Sequence, residues 1–390
     1  MNIKEIDQKY IANTYARFPL ELVKGEGALF WDEQGKEYID MGSGIAVNTF
    51  GACDQGWIEA VEAQLHQLQH TSNLFYTAPC ARLAEQLCLR TGMKKVFFGN
   101  SGAEANECAI KVARKYAAEK KGKDYYKIIT LINSFHGRTI TTLAATGQQV
   151  FHEEFLPLTE GFLYAEANDL EGIKRIVAEE KIAAIMVEPV QGEGGVLPLT
   201  AAFCKGLQEI ADQEDILLII DEVQTGNGRT GMLYGYMNFD LHPDIVTTAK
   251  GLGGGLPIGA CMLGQRVENT LTPGSHGSTF GGNPIAAAGA LHILERLDER
   301  MLSEIREKSS YLFKAFENAE GIKSVSGMGL MIGLETNGDA GAIVAACREA
   351  GVLVLKAKEK VRLLPPLNIP MELLEKAAAV ILRAAKENQA

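Results

Sequence analysis

Regular alternation of apolar and polar positions first appears in ALFWD (28–32) and EYIDM (37–41), which flank an EQGK turn and predict a hairpin. Between about residues 80 and 265 the pattern changes. Apolar runs rich in β-branched residues, KIITLI (127–132), AAIMVEPV (183–190), ILLIIDEV (216–223) and DIVTTAK (244–250), alternate with amphipathic helical stretches. Unbroken apolar strands separated by helices predict an α/β fold with a mostly parallel sheet covered on both faces. After the glycine-rich passage TPGSHGSTFGGNP (272–284), one long helical pattern runs through AAAGALHILERLDERML. Short strands in GLMIGLE, VLVLKA and VRLLPP and a closing helix in MELLEKAAAVILRAAK follow. The expected division is a large domain over residues 46–284 and a small α+β domain made from both chain ends, 1–45 and 285–390. The pairing of the two ends is not itself written in the pattern.

Composition narrows the partners. Of 390 residues, 49 are acidic and 38 basic, a net charge of -11 with no block of lysine or arginine, which argues against nucleic acid and anionic membrane. No apolar run reaches the roughly 18 residues of a spanning helix, and MNIKEIDQKYIANTYARF lacks the apolar core of a signal peptide. The seven cysteines are odd in number and form no CxxC pair, which suits reduced thiols in a cytoplasm better than disulfides or a zinc ribbon. No metal is expected: Glu188 and Glu193 in VEPVQGEGG have no histidine close by, and His66 and His70 in QLHQLQH have no acid or cysteine to complete a site.

In an open parallel sheet, ligands collect beyond the carboxyl ends of the strands, so polar residues just after apolar runs are the first candidates. Asp221 ends ILLII and is followed by Glu222, Val223 and Gln224. Lys250 ends the next run, before GLGGGLPIG, where desolvation would make its amine nucleophilic; a lysine reaching out to solvent would satisfy the same pattern. Ser101, Gly102 and Ala103 lie at a strand-to-helix turn whose free amides suit a phosphate, or an ordinary helix cap. SFHGR (134–138) brings Phe135, His136 and Arg138 into one loop. GNGRTG, with Gly226, Gly228 and Gly231, spells a dinucleotide fingerprint, but no clear helical period follows it and two acids precede it.

A phosphate cradle, an acid at a strand end, a reactive lysine on the next strand and an aromatic loop residue are together the parts that hold pyridoxal 5'-phosphate. Lys250 would carry it, Asp221 would keep its ring nitrogen protonated, Gln224 would bond its phenolic oxygen and Phe135 would stack on its face.

NSGAEANE, SFHGRT, VEPVQGEGG, LLIIDEVQTGNGRTG, TTAKGLGGGLPIGA, GSTFGGNP and VRLLPPLNI, in this order, resemble the class III aminotransferases, of the fold-type I pyridoxal-phosphate enzymes. The resemblance implies a transfer of the terminal amino group of N2-acetyl-L-ornithine to 2-oxoglutarate, giving N-acetyl-L-glutamate 5-semialdehyde and L-glutamate. It implies cofactor contacts from Ser101, Gly102, Ala103, Phe135, Asp221, Glu222, Val223, Gln224 and Lys250. It also implies a homodimer with shared active sites, in which Thr279 reaches the neighbour's phosphate and Ser278 lies near its substrate. Arg138 would hold the carboxylate of the acylated amino acid, and Arg362 the α-carboxylate of glutamate, with Glu193 pairing with Arg362 as a gate. Tyr15 matches a position near substrate. Gly44 stands where ornithine-specific relatives carry tyrosine, leaving room for an acyl group. Succinylornithine, N-succinyl-L,L-diaminopimelate, acetyllysine, ornithine and 4-aminobutyrate stay open as substrates, as does a catalytically silent relative that only binds the cofactor. GACDQ (51–55) departs from the GHCHP of many relatives and leaves the entry to the next helix uncertain.

Overall fold

The structure is a computed structural model that describes residues 2–389. The apolar runs become a seven-stranded central sheet: β1 (Lys95–Gly99), β2 (Lys127–Leu131), β3 (Phe162–Ala165), β4 (Ile182–Val187), β5 (Leu217–Asp221), β6 (Ile245–Thr248) and β7 (Gly259–Leu263). Their spatial order is β1-β7-β6-β5-β4-β2-β3. Pairings among β6, β5, β4, β2 and β3 are parallel, and β7 alone runs against its two neighbours, so the other six strands end on one side.

Every residue of β4 and β5 is buried, as their unbroken apolar character requires. Successive side chains take opposite faces. Leu217 and Ile219 pack with Cys108, Ala109 and Val112 of the Gly102–Lys120 helix. Leu218 and Ile220 pack with Phe203, Leu207 and Ile210 of the Ala201–Gln213 helix. The α/β expectation is borne out.

The chain ends meet in a smaller sheet. Leu22–Glu26, Leu29–Asp32 and Glu37–Asp40 pair with Val352–Leu353 from the far end of the chain, Val352 opposite Ile39. A second four-stranded sheet combines Ile322–Met328, Met331–Thr336, Lys360–Leu363 and Leu355–Ala357. VLVLKA is therefore not one strand: it breaks at the buried Val354 and contributes to both sheets.

One helical reading needs correction. The long pattern after residue 284 is two helices, Pro284–Arg296 and Glu299–Phe316. Leu297 leaves helical geometry, and the Asp298 carboxylate caps the second helix by accepting from Met301 N at 2.8 Å. Arg90 donates to the freed carbonyls of Leu294 and Leu297. The helix Gln55–Leu65 stops before His66 and His70, so those two histidines share no helix face. In GACDQ the helix entry is supplied by Asp54, whose side chain accepts from Trp57 N at 3.0 Å.

Candidate active site

Five strand-end segments converge on one cavity of about 400 Å³, lined by Ser101, Gly102, Ala103, Phe135, Arg138, Asp221, Val223, Gln224 and Lys250, together with Val47, Asn106, His136 and Glu188. Ser101 follows β1 and caps the Gly102–Lys120 helix, its hydroxyl accepting from Glu104 N at 3.2 Å and its carbonyl from Ala105 N at 3.1 Å. The first two amides of the helix, on Gly102 and Ala103, gain nothing from that cap, and both residues line the cavity at the positive end of the helix, an arrangement that suits an anion. A Cβ at Gly102 would lie 2.6 Å from Val223 Cγ1, so only glycine lets the helix start sit this close to the end of β5.

The floor is a buried polar network. Asp221 Oδ2 accepts from Asn106 Nδ2 at 2.8 Å and lies 2.7 Å from His136 Nδ1, while Oδ1 accepts from Val223 N at 3.0 Å. Asn106 also donates to His136 O at 2.8 Å and accepts from Thr247 Oγ1 at 2.6 Å. Because Asn106 is itself anchored by His136 O and Thr247, the bonds to Asp221 fix the orientation of its carboxylate. His136 Nε2 is buried with no partner among the described residues. Glu188, after β4, accepts from Phe135 N at 2.9 Å and so fixes the start of the aromatic loop. Burial, followed by the nearby charge of Asp221, raises the Glu188 carboxyl well above the ordinary range.

Lys250 follows β6 at φ 43, in the left-handed region that costs a residue with a Cβ roughly 1–2 kcal/mol. Such strain is retained where surrounding structure enforces it. Burial pushes its amine below the usual lysine value; the Glu193, Asp221 and Glu188 carboxylates oppose that shift and Arg362 assists it.

Behind Gln224 of the cavity wall, and outside the residues that line it, Arg362 Nη1 lies 2.6 Å from Glu193 Oε1 and 3.2 Å from Gln224 Oε1, while Gln224 Nε2 donates to Glu193 Oε1 at 3.2 Å. Burial alone would raise the Glu193 carboxyl, but Arg362, Lys250 and Gln224 together hold it below the ordinary range. Arg362 is 3% exposed, and its Nε has no partner among the described residues.

The remaining candidates stand elsewhere. Glu222 does not line the cavity: its carboxylate accepts from Thr225 Oγ1, Gly235 N and Tyr236 N at 2.6–2.8 Å. Burial raises it to about 7. Ser278 Oγ accepts from Asn100 Nδ2 at 3.2 Å beside the helix start, whereas Thr279 is exposed and lines a separate cleft with His70 and Asn73. Tyr15 and Gly44 share a different groove with Phe18, Arg348 and Leu355. Ser43, Gly44, Ile45 and Ala46 all have positive φ, a left-handed turn that delivers Val47 to the cavity wall. A Cβ at Gly44 would meet nothing nearer than 3.7 Å, so there is free volume at that position. The GNGRTG segment leads into turns and a short 3-10 segment, not a helix, and Arg229 is committed to Pro365 O and Leu330 O. Among the described residues no group of three or more histidines, cysteines or acids is arranged to hold a metal.

Asn106 and Thr247 escaped the sequence reading. Asn106 lies one turn inside an otherwise apolar buried helix face, and a buried amide needs partners, which was the available signal.

The family described as class-III aminotransferase matches residues 10–385. The acetylornithine aminotransferase of Haemophilus ducreyi is 53% identical over 387 residues, 99% of this chain and 98% of that one. The one from Aquifex aeolicus is 46% identical over 374 residues, 95% and 98% of the two chains. Among solved structures, N-acetylornithine aminotransferase from Stenotrophomonas maltophilia superposes with a TM-score of 0.85 at 37% identity, covering 97% of each chain. Ornithine aminotransferase from Toxoplasma gondii, with partial occupancy of pyridoxal phosphate at its active site, gives 0.94 at 33% identity, covering 99% of this chain and 94% of that one.

Proposed function

The chain belongs to the class-III aminotransferase family, and from that premise we propose that it transfers the terminal amino group of N2-acetyl-L-ornithine to 2-oxoglutarate, using pyridoxal 5'-phosphate. The products are N-acetyl-L-glutamate 5-semialdehyde and L-glutamate, a step of arginine biosynthesis. The observation that carries the reading is the convergence of Lys250, Asp221 and the capped helix start at Gly102 on one cavity.

The residues present fit the cofactor. Gly102 keeps open a cradle that a Cβ would close, and its helix end suits a phosphate. Asp221, oriented by Asn106 and His136, would face the ring nitrogen, Gln224 the phenolic oxygen, Phe135 a ring face. When bound, the group supplies an electron-accepting ring and a carbonyl carbon on which amines exchange.

The chain's own part is binding and proton handling. Lys250 Nζ, its pKa lowered chiefly by burial, acts as nucleophile and then as the base that removes a proton from the carbon bearing the substrate's terminal amine. Arg138 holds the α-carboxylate of the acylated amino acid. Glu193 occupies Arg362 while that substrate is bound, because its reacting end has no carboxylate. When glutamate or 2-oxoglutarate enters, Glu193 swings away and the freed guanidinium takes the α-carboxylate in a bidentate grip.

A homodimer completes the site. Leu74 and Phe75 are 88% and 66% exposed, and Phe280, 59% exposed, packs against His70 with the two rings tilted and their centroids 5.3 Å apart. Asn73 ties the two segments together through Ser278 O and Gly281 O. An apolar patch of this kind suits burial against a second copy, with Thr279 reaching the neighbour's phosphate and Ser278 its substrate. Tyr15 and Gly44 would border the substrate from the groove behind Val47. Seven free thiols suit a reducing cytoplasm. The reading also keeps the two-domain division, 46–284 against 1–45 with 285–390.

The test is steady-state turnover of N2-acetylornithine, succinylornithine, succinyldiaminopimelate, ornithine and 4-aminobutyrate against 2-oxoglutarate. The highest kcat/KM is expected with an acylated substrate, N2-acetylornithine above all. Equal or better efficiency with ornithine would overturn the reading.

A further inference from the structure

Arg138 is exposed and makes no hydrogen bond or ion pair with any described residue. A long side chain of that kind normally samples many rotamers, at a cost when one must be selected for binding. Two aromatic rings limit it here. The guanidinium carbon lies 4.3 Å from the ring centroid of Phe151 and 5.5 Å from that of Phe135, and the two rings meet edge to face at 5.8 Å.

Phe135 is already assigned to the cofactor. Phe151 has no such role, and it belongs to none of the apolar clusters of the described residues. Its position is nonetheless fixed from both sides. Gln148 is buried and donates from Nε2 to Ser134 O at 3.0 Å, and its carbonyl accepts from Phe151 N at 3.1 Å. His152 is buried, and its Nε2 donates to Thr146 O at 2.7 Å and Leu143 O at 3.0 Å, at the end of the Ile140–Ala145 helix. A half-buried aromatic ring between two buried polar anchors, outside the core and facing a cation, fits a positioning role better than a packing role.

We infer that Phe151 is a specificity-determining positioning residue: its ring holds the Arg138 guanidinium by a cation–π contact in the orientation that receives the carboxylate of the acylated amino acid. The inference rests on the proposed function and concerns only the first half of the reaction, since the second carboxylate grip, Arg362, is built from Glu193 and Gln224 and makes no contact with Phe151. A cation held over a ring contributes about threefold to tenfold in affinity at a partly exposed position.

The test compares Phe151→Leu, which keeps apolar bulk without the π face, with Phe151→Tyr, which keeps the face. In the cofactor-loaded enzyme, Phe151→Leu is expected to raise KM for N2-acetylornithine about threefold to tenfold with kcat within about twofold of wild type and KM for 2-oxoglutarate unchanged, while Phe151→Tyr stays near wild type. Calorimetric binding of N-acetyl-L-norvaline, which has the same carboxylate and acyl group but no terminal amine to react, should weaken by the same factor in Phe151→Leu only. Equal loss in both half-reactions, no loss in either, or a tyrosine variant as impaired as the leucine variant would overturn the inference. A wild-type enzyme that does not turn over N2-acetylornithine would instead sink the proposed function.

Discussion

The floor and the rim of the cavity are built by opposite means. At the floor, Asp221 is 3% exposed and meets donors from two distant parts of the chain and from Val223 N beside it, so the folded chain alone determines its orientation. At the rim, Arg138 is exposed and, among the described residues, held by aromatic faces alone, while Thr279 and Tyr15, which the proposed function also brings to the substrate, are exposed in separate clefts outside this cavity. The floor performs the same chemistry whichever amine arrives, and a rigid network suits it. On the proposed function the rim admits two different substrates in turn, so its groups would wait for a ligand, or for a second copy of the chain, to complete them.

Arg362 stands between the two regimes, buried like the floor but paired with Glu193, which on the proposed function would have to leave. Arg362→Lys removes the planar fork while keeping the charge. KM for 2-oxoglutarate should rise by about tenfold to a hundredfold, the range of a lost charged hydrogen bond, with the N2-acetylornithine half-reaction changed far less. A steady-state matrix of both substrates checks this, and an equal loss in both halves would erase the distinction between a grip and a scaffold.

A smaller effect separates the two adjacent acids, Asp221 at the floor and Glu222 behind it. Glu222 accepts three hydrogen bonds away from the cavity and is raised to about 7. A carboxyl whose folded pKa lies above its unfolded value, near 4.5, gives its full stabilisation below that unfolded value and loses it as pH rises through about 7. Glu222→Gln cannot titrate. The stability difference between wild type and variant should therefore shrink between about pH 4.5 and about pH 7, by up to a few kcal/mol. Denaturant melts at pH 5 and pH 8 measure it; a difference that grows with pH would mean the carboxylate is stabilised in its charged form.

The same contrast explains what was legible in the sequence. β4 and β5 were readable because two-sided burial demands unbroken apolar residues, and Asp221 and Lys250 because they end such runs. β7 was not: its GACML opens with glycine and has no β-branched or aromatic residue, although it is buried throughout and pairs with strands on either side. Asn106, Thr247 and Phe151 take their roles from partners distant in sequence, which no local pattern encodes. Glu222 stands apart from its neighbours: Asp221, Val223 and Gln224 line the cavity, whereas its own side chain turns to the Gly235–Phe239 segment, a difference no local pattern encodes.

On the proposed function, each floor belongs to one chain and each rim would be shared between two. Mixing two inactive variants in one dimer tests this most directly, using Lys250→Ala, which removes the floor lysine, and Thr279→Glu, which sets a negative charge against the neighbour's phosphate. Each variant alone should be inactive. Co-expressed in equal amounts, they should recover about a quarter of wild-type turnover per subunit, since half of the dimers are mixed and each mixed dimer has one intact site. No recovery from a mixture shown to contain mixed dimers would contradict the account.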